Sequence, residues 1–177
     1  MSSPALAIFG GSFDPPHVAH LLVANYVLAL GEVGRVLVVP TFEHPFGKPL
    51  SPFEERLELC RRCFDGQPGV EVSDIEAELS RPSYTVRLLE RLIAEQPERP
   101  LRLIIGSDVL AETGAWHDFP RVETLAPPLV LTRAGHERPG LGPAVLPDVS
   151  STRVRELAWL VPRRVLEHIA AANLYAA

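Results

Sequence analysis

Apolar residues fall into two kinds of block along this chain. Short apolar runs occupy Ala5 to Phe9, Arg35 to Val39, Val70 to Val72, Leu101 to Ile105 and Leu129 to Thr132. Longer stretches lie between them. Val18 to Leu30 is apolar nearly throughout, Phe53 to Phe64 carries Phe53, Leu57, Cys60 and Phe64 at helical spacing, and Ser83 to Ala94 places Val86, Leu89, Leu92 and Ile93 on one side. The short runs predict strands and the longer ones helices. Ser51-Pro52 supplies an N-cap and first position for the helix that follows. Two further helices are predicted from about Ser151 and about Pro162. Near-continuous apolar strands alternating with helices predict an α/β fold, a doubly wound parallel sheet with helices on both faces. No repeat or linker interrupts the pattern, so residues 1–177 are expected to form one domain, helical from about residue 150 onward.

In an open parallel sheet, ligands bind beyond the carboxyl ends of the strands. Three polar segments fall there: Gly10 to His20, Gly106 to Asp108, and Val149 to Arg155. Bulk properties narrow what they can bind. The net charge is −5, which gives no basic field for wrapping nucleic acid but leaves room for a locally positive small-molecule site. No apolar run is long enough for a membrane span, and Met1 to Pro4 lacks a basic leader region, so a cytoplasmic location is expected. Cys60 and Cys63 form a C-x-x-C pair. Their helical spacing with Phe53, Leu57 and Phe64 predicts core thiols, since zinc would need two more ligands.

The first polar segment is the most specific. Gly10 and Gly11 follow a strand, where bare backbone lets a ligand approach N–H groups closely. Asp14-Pro15-Pro16 ends the loop and opens a helix. His17 and His20, three apart, project from one face of its first turn, where unpaired N–H groups and the positive dipole end favour phosphate. Zinc helices use a spacing of four and a third ligand, so a metal site is not expected here.

Gly10-Gly11-Ser12-Phe13-Asp14-Pro15-Pro16-His17-Val18-Ala19-His20 resembles the G-G-x-F-D-P-x-H-x-G-H signature of the Rossmann-like nucleotidyltransferases. Within them the chain most resembles the bacterial nicotinate-nucleotide adenylyltransferases. Gly106-Ser107-Asp108, Ser83-Tyr84-Thr85, Trp116, Val149-Ser150-Ser151-Thr152-Arg153-Val154-Arg155, Leu160-Val161-Pro162 and Leu174-Tyr175 continue the resemblance in order. Ala19 departs from it, standing where the signature has glycine. The regions Ala134 to Asp148 and Glu156 to Leu160 are short for the family.

The resemblance implies adenylyl transfer from ATP to nicotinate mononucleotide, giving deamido-NAD and pyrophosphate in NAD biosynthesis. It implies catalytic roles for His17, His20 and Arg155. ATP would be bound by Gly10, Gly11, Ser12, Phe13, Gly106, Asp108, Ser150, Ser151 and Thr152. Lys48, Thr85 and Trp116 would contact the pyridine mononucleotide. Mg²⁺ is expected to arrive on the ATP phosphates rather than in a protein cage. From the residues alone, Asp108 and one of the three hydroxyls serve equally well as helix caps, and Trp116 equally well as core. Two alternatives stay open: pantetheine-phosphate adenylyl transfer in coenzyme A biosynthesis, and a nucleotide-binding module without activity.

Overall fold

Five parallel strands lie side by side in the computed structural model, which describes residues 4–157 and 160–175. They are β1 (Ala5–Gly11), β2 (Val33–Pro40), β3 (Val70–Val72), β4 (Leu101–Gly106) and β5 (Pro128–Leu131), in the spatial order β3-β2-β1-β4-β5. β1 is central. It pairs with β2 as far as Gly11↔Pro40 and with β4 over Leu6↔Leu101 to Ile8↔Leu103.

Successive strand residues face opposite sides of a sheet, and β1 divides its side chains accordingly. Ala7 and Phe9 enter one core layer with Val36, Val38 and Ile104; Leu6 and Ile8 enter the other with Leu37, Val39 and Leu103. The first layer is covered by α1 (Val18–Ala29), α2 (Phe53–Phe64), α5 (Ser151–Leu157) and α6 (Arg163–Ala171), which contribute Val23, Val27, Leu59, Val154 and Val165. The second is covered by α3 (Thr85–Glu95) and α4 (Phe119–Leu125), through Leu89, Leu92 and Val122. Helices on both faces give the doubly wound arrangement that the apolar pattern predicts. Strand order reverses between β1 and β4, so the loops leaving their carboxyl ends diverge and open a crevice.

Several boundaries differ from the sequence reading. Gly10 and Gly11 are the last residues of β1, not the start of its loop. The helix expected from Ser83 begins at Thr85, because Tyr84 is extended and the Ser83 hydroxyl is held by Glu76. Pro52 occupies the N-cap position of α2, while Ser51 gives its backbone N–H to Asp14. β5 stops at Leu131, one residue early. Residues 158 and 159 of the shortened 156–160 region lie outside the described residues.

Cys60 and Cys63 are free and buried in the first layer, and burial pushes the Cys63 thiol up to about 12. Among the described residues, no helix is long and apolar enough to cross a membrane.

Candidate active site

A cleft of about 830 Å³ opens at the carboxyl ends of β1 and β4. The β1 end brings Gly10, Gly11, Ser12 and Phe13 to its wall. A Cβ on Gly10 would meet nothing within 4 Å, whereas one on Gly11 would meet the Phe13 ring at 3.2 Å. The second glycine thus admits Phe13, whose backbone is left-handed at φ 46 and whose ring is buried. The Phe13 ring packs edge-on against Phe9 and His20.

His17 is the N-cap residue of α1, and its imidazole stacks on His20 with centroids 3.7 Å apart. The His17 backbone N–H donates to Nδ1 of His20 at 3.0 Å. A neutral imidazole accepting at Nδ1 carries its proton on Nε2, so this bond makes His20 an Nε2–H donor. Burial, with Arg133 nearby, lowers the His17 pKa to about 4. Burial, His17 and Arg133 hold His20 well below its ordinary value. Both rings are therefore neutral near pH 7.

The helix end itself is less available than its position suggests. Val18 N–H donates to the Leu160 carbonyl and His20 N–H to that of His17. With His17 N–H given to the His20 ring, the expected row of unpaired amides is largely consumed. Anion recognition at this end falls to side chains instead. Two buried atoms there find no partner among the described residues, Nδ1 of His17 and Nε of Arg133. Both residues line the cleft.

Arg133, just past β5, escaped the sequence reading. It forms a 2.6 Å ion pair with Asp108 and donates to the Val149 carbonyl and to Asp148. Asp108 makes no side-chain cap to the short turn that follows it, so capping does not account for it. Gly106 makes room for this carboxylate, because a Cβ there would lie 2.3 Å from Oδ1 of Asp108. The same carboxyl-edge rule that singled out Asp108 would have found Arg133, two residues beyond a strand end.

Ser150, Ser151 and Thr152 also reach the cleft wall. Ser150 caps α5, accepting from Arg153 N–H, while the Ser151 hydroxyl donates to the Pro15 carbonyl at 2.9 Å. Arg155 does not reach the wall. It turns behind it, donating to the Asp14 carbonyl, with the Asp14 carboxylate 4.0 Å away. The sequence reading has Arg155 helping to hold the β- and γ-phosphates from the start of α5; in the structure its guanidinium is engaged by a carbonyl on the loop after β1, near the Asp14 carboxylate.

Across the cleft, the wall changes character. Thr85 opens α3, and Trp116 lies half-buried with its ring edge-on to Phe119 at 5.8 Å. Tyr84 and His117 stack at 4.3 Å. Lys48 borders the cleft from an exposed loop. Its neighbour Gly47 turns at φ 69. Ala19 is buried on the wall near the histidines, so the methyl that replaces the signature's glycine adds bulk to this wall.

Buried charges at and behind the wall were also missed. Arg56, 1% exposed, donates to the carbonyls of Ser51, Ser12 and Phe42 and so ties two loops to α2. One oxygen of Glu76 accepts both Phe42 N–H and the Ser83 hydroxyl. Burial raises its pKa. Asp14 accepts from Ser51 N–H and the Tyr175 hydroxyl. A charged residue one position before Leu57, on the apolar side of α2, was the available signal for Arg56.

The cytidylyltransferase-like family profile matches residues 8–157. A protein of Anaeromyxobacter sp. described as a probable nicotinate-nucleotide adenylyltransferase is 44% identical over 180 residues, covering 96% of each chain. A protein of Myxococcus xanthus with the same description is 41% identical over 179 residues, covering 96% of this chain and 94% of its own. Among solved structures, Plasmodium falciparum nicotinic acid mononucleotide adenylyltransferase complexed with NaAD superposes with a TM-score of 0.82 at 18% identity over 97% of both chains.

Proposed function

The chain belongs to the cytidylyltransferase-like family and, within it, to the nicotinate-nucleotide adenylyltransferases, and from that premise we propose how its cleft works. The protein is an enzyme that transfers the adenylyl group of ATP to nicotinate mononucleotide, releasing deamido-NAD and pyrophosphate in NAD biosynthesis. The observation that carries the mechanism is the pair of stacked imidazoles on the cleft wall, with His20 held as an Nε2–H donor by the His17 backbone N–H.

A 5′-phosphate oxygen of the mononucleotide attacks the α-phosphorus of ATP in line, and the bond to the β-phosphate oxygen breaks. The attacking phosphate is already ionised, so no general base and no protein nucleophile is required. The task of the protein is to position two anions and stabilise charge on the α-phosphoryl and leaving oxygens. Nε2–H of His20 donates to the α-phosphoryl group, and His17 donates beside it. Arg133 lines the cleft beside them, its charge shared with Asp108 and Asp148. A protonated imidazole would be attracted to phosphate in the ground state as well. A neutral, preorganised donor instead gains most as charge develops.

Gly10 to Phe13, Gly106, Asp108 and Ser150 to Thr152 support the reading of an ATP side. Thr85, Trp116 and Lys48 support an acceptor side, where an indole can stack on a pyridine ring and a lysine can meet phosphate. Arg155 serves the same site from behind its wall. Mg²⁺ enters as part of the MgATP substrate, held by phosphate oxygens and water. The whole chain acts as one catalytic unit, and it works in the cytoplasm.

The test supplies ATP, Mg²⁺ and, separately, nicotinate mononucleotide, nicotinamide mononucleotide and 4′-phosphopantetheine, and measures pyrophosphate release. Release with nicotinate mononucleotide is the expected result. Release with phosphopantetheine alone would transfer the assignment to that reaction, and no release with any acceptor would leave a binding module.

A further inference from the structure

Behind the phosphate-side wall, three segments far apart in sequence meet on Asp14. Its Oδ1 accepts the Tyr175 hydroxyl at 2.6 Å, its Oδ2 accepts Ser51 N–H at 3.1 Å, and its carbonyl accepts the Arg155 guanidinium. Asp14 is 6% exposed. Neither Asp14, Tyr175 nor Arg155 borders the cleft, but Asp14 and Arg155 are each one step from a residue that does, and Tyr175 is bonded to Asp14. Phe13, on the wall, precedes Asp14. Ser151, also on the wall, donates to the Pro15 carbonyl, and Arg155 follows it one turn along α5. The position of α5 against the loop after β1 is therefore fixed by bonds that converge on Asp14 and Pro15.

Tyr175 reaches this point at a conformational cost. Its backbone is left-handed at φ 59, as is that of Asn173 at φ 52. Asparagine tolerates that region, but a bulky aromatic residue holds it only where surrounding contacts over-determine it. Phe13, on the other side of Asp14, is left-handed as well. Packing of the Tyr175 ring against the first core layer accounts for part of the restraint. It does not account for the hydroxyl, which makes a charge-assisted bond to a buried carboxylate.

We propose that Tyr175 is a positioning residue for the ATP side of the cleft: its hydroxyl, acting through Asp14, sets how α5 and the loop after β1 fit together, so that the C-terminal turn belongs to the nucleotide site. Tyr175 touches no substrate. Its effect is on the spacing between Ser150 to Thr152 and the His17 and His20 pair. This inference rests on the adenylyl-transfer reading for its substrate.

The experiment compares the wild type with Tyr175→Phe, which keeps the ring and removes one oxygen, and with a chain ending at Leu174. Arg163→Ala, an exposed change on α6, is the control. ATP binding is measured by calorimetry without acceptor, and KM values and thermal midpoints alongside. The Kd and KM for ATP are expected to rise about tenfold in Tyr175→Phe, the scale of one hydrogen bond to a charged group. The KM for nicotinate mononucleotide should rise several times less than that for ATP, because Asp14 also holds one end of the acceptor-side loop through Ser51 N–H but α5 lies only on the ATP side. The shortened chain should move the same way and further, and the control should not move.

Unchanged ATP affinity in Tyr175→Phe overturns the proposal. So does an equal rise in both KM values, or a loss that merely follows a fall in thermal midpoint. Absence of turnover by the wild type would remove the adenylyl-transfer reading, while ATP calorimetry would still decide the role of Tyr175. A wild type that binds no ATP would remove both.

Discussion

On the β1 side of the cleft, buried charges and packed aromatic rings stand behind the wall. On the α3 side, the wall is short turns, a half-buried Trp116 and a loop whose Phe46 is 53% exposed. The first side is held at many points: Arg56 binds three carbonyls, Asp14 binds two other segments through its carboxylate, and His20 is enclosed by Phe9, Phe13 and His17. The second side shares two of the Arg56 bonds and one of the Asp14 bonds, and its loop is held only at its ends, at Phe42 and Ser51. On the proposed mechanism, the difference follows what each side must do. Donors aimed at developing charge lose their advantage if they must reorganise during the reaction. A pocket that recognises a stable acceptor can adjust as it binds.

Breaking the rigid side should cost the most. His20→Ala removes a preorganised donor and is expected to lower kcat by at least about a hundredfold. Near-normal turnover, measured by pyrophosphate release at saturating substrates, would take His20 out of the mechanism.

The same burial makes stability depend on pH. His17 is depressed to about 4 when folded, so the unfolded chain binds more protons between about pH 6.5 and pH 4, and stability falls as pH drops through that window. Each such imidazole contributes at most about 1.4 kcal/mol per pH unit. Subtracting the denaturation profile of His17→Asn from that of the wild type isolates this part, and parallel profiles would contradict the neutral assignment.

The adjustable side should respond in affinity rather than rate. Trp116→Ala is expected to raise the KM for nicotinate mononucleotide about tenfold, with kcat changed much less, the pattern of lost ground-state binding. A fall in kcat of the same size would mean that Trp116 also orients the attacking phosphate. The smallest change tests the rigid wall itself. Ala19→Gly restores the signature residue but loosens the first turn of α1, so the steric gain and the helix-propensity loss of about 1 kcal/mol oppose each other. The expected change in kcat/KM for ATP is within about threefold, and a larger gain would show that the Ala19 methyl crowds the nucleotide.

Much of the rigid side was readable in the chain. Gly10, Gly11, His17 and His20 stand together in sequence because one strand, one turn and the first turn of one helix build that corner. Thr85 and Trp116 were readable too, since each sits in its own short motif. Arg133, Arg56 and Glu76 were not read, and Tyr175 was read only as part of a closing motif, because each gains meaning only from a partner elsewhere. Arg56 pairs with carbonyls 5, 14 and 44 positions away, and Tyr175 with a carboxylate 161 away. Arg155 shows the converse. Its motif drew it toward phosphate, but Asp14, 141 positions earlier, holds it behind the wall.

The sequence by itself determined what local periodicity and short motifs encode: strands and helices in alternation, a sheet covered on both faces, and a glycine and histidine corner at the end of the first strand. These follow from interactions over a few residues, where backbone geometry leaves few alternatives. Only the tertiary structure decided the charge state of the histidines, the partner of Asp108, the place of Arg155 and the reach of the C-terminal turn. Burial and pairing set those properties, and both depend on which distant segments the fold brings together.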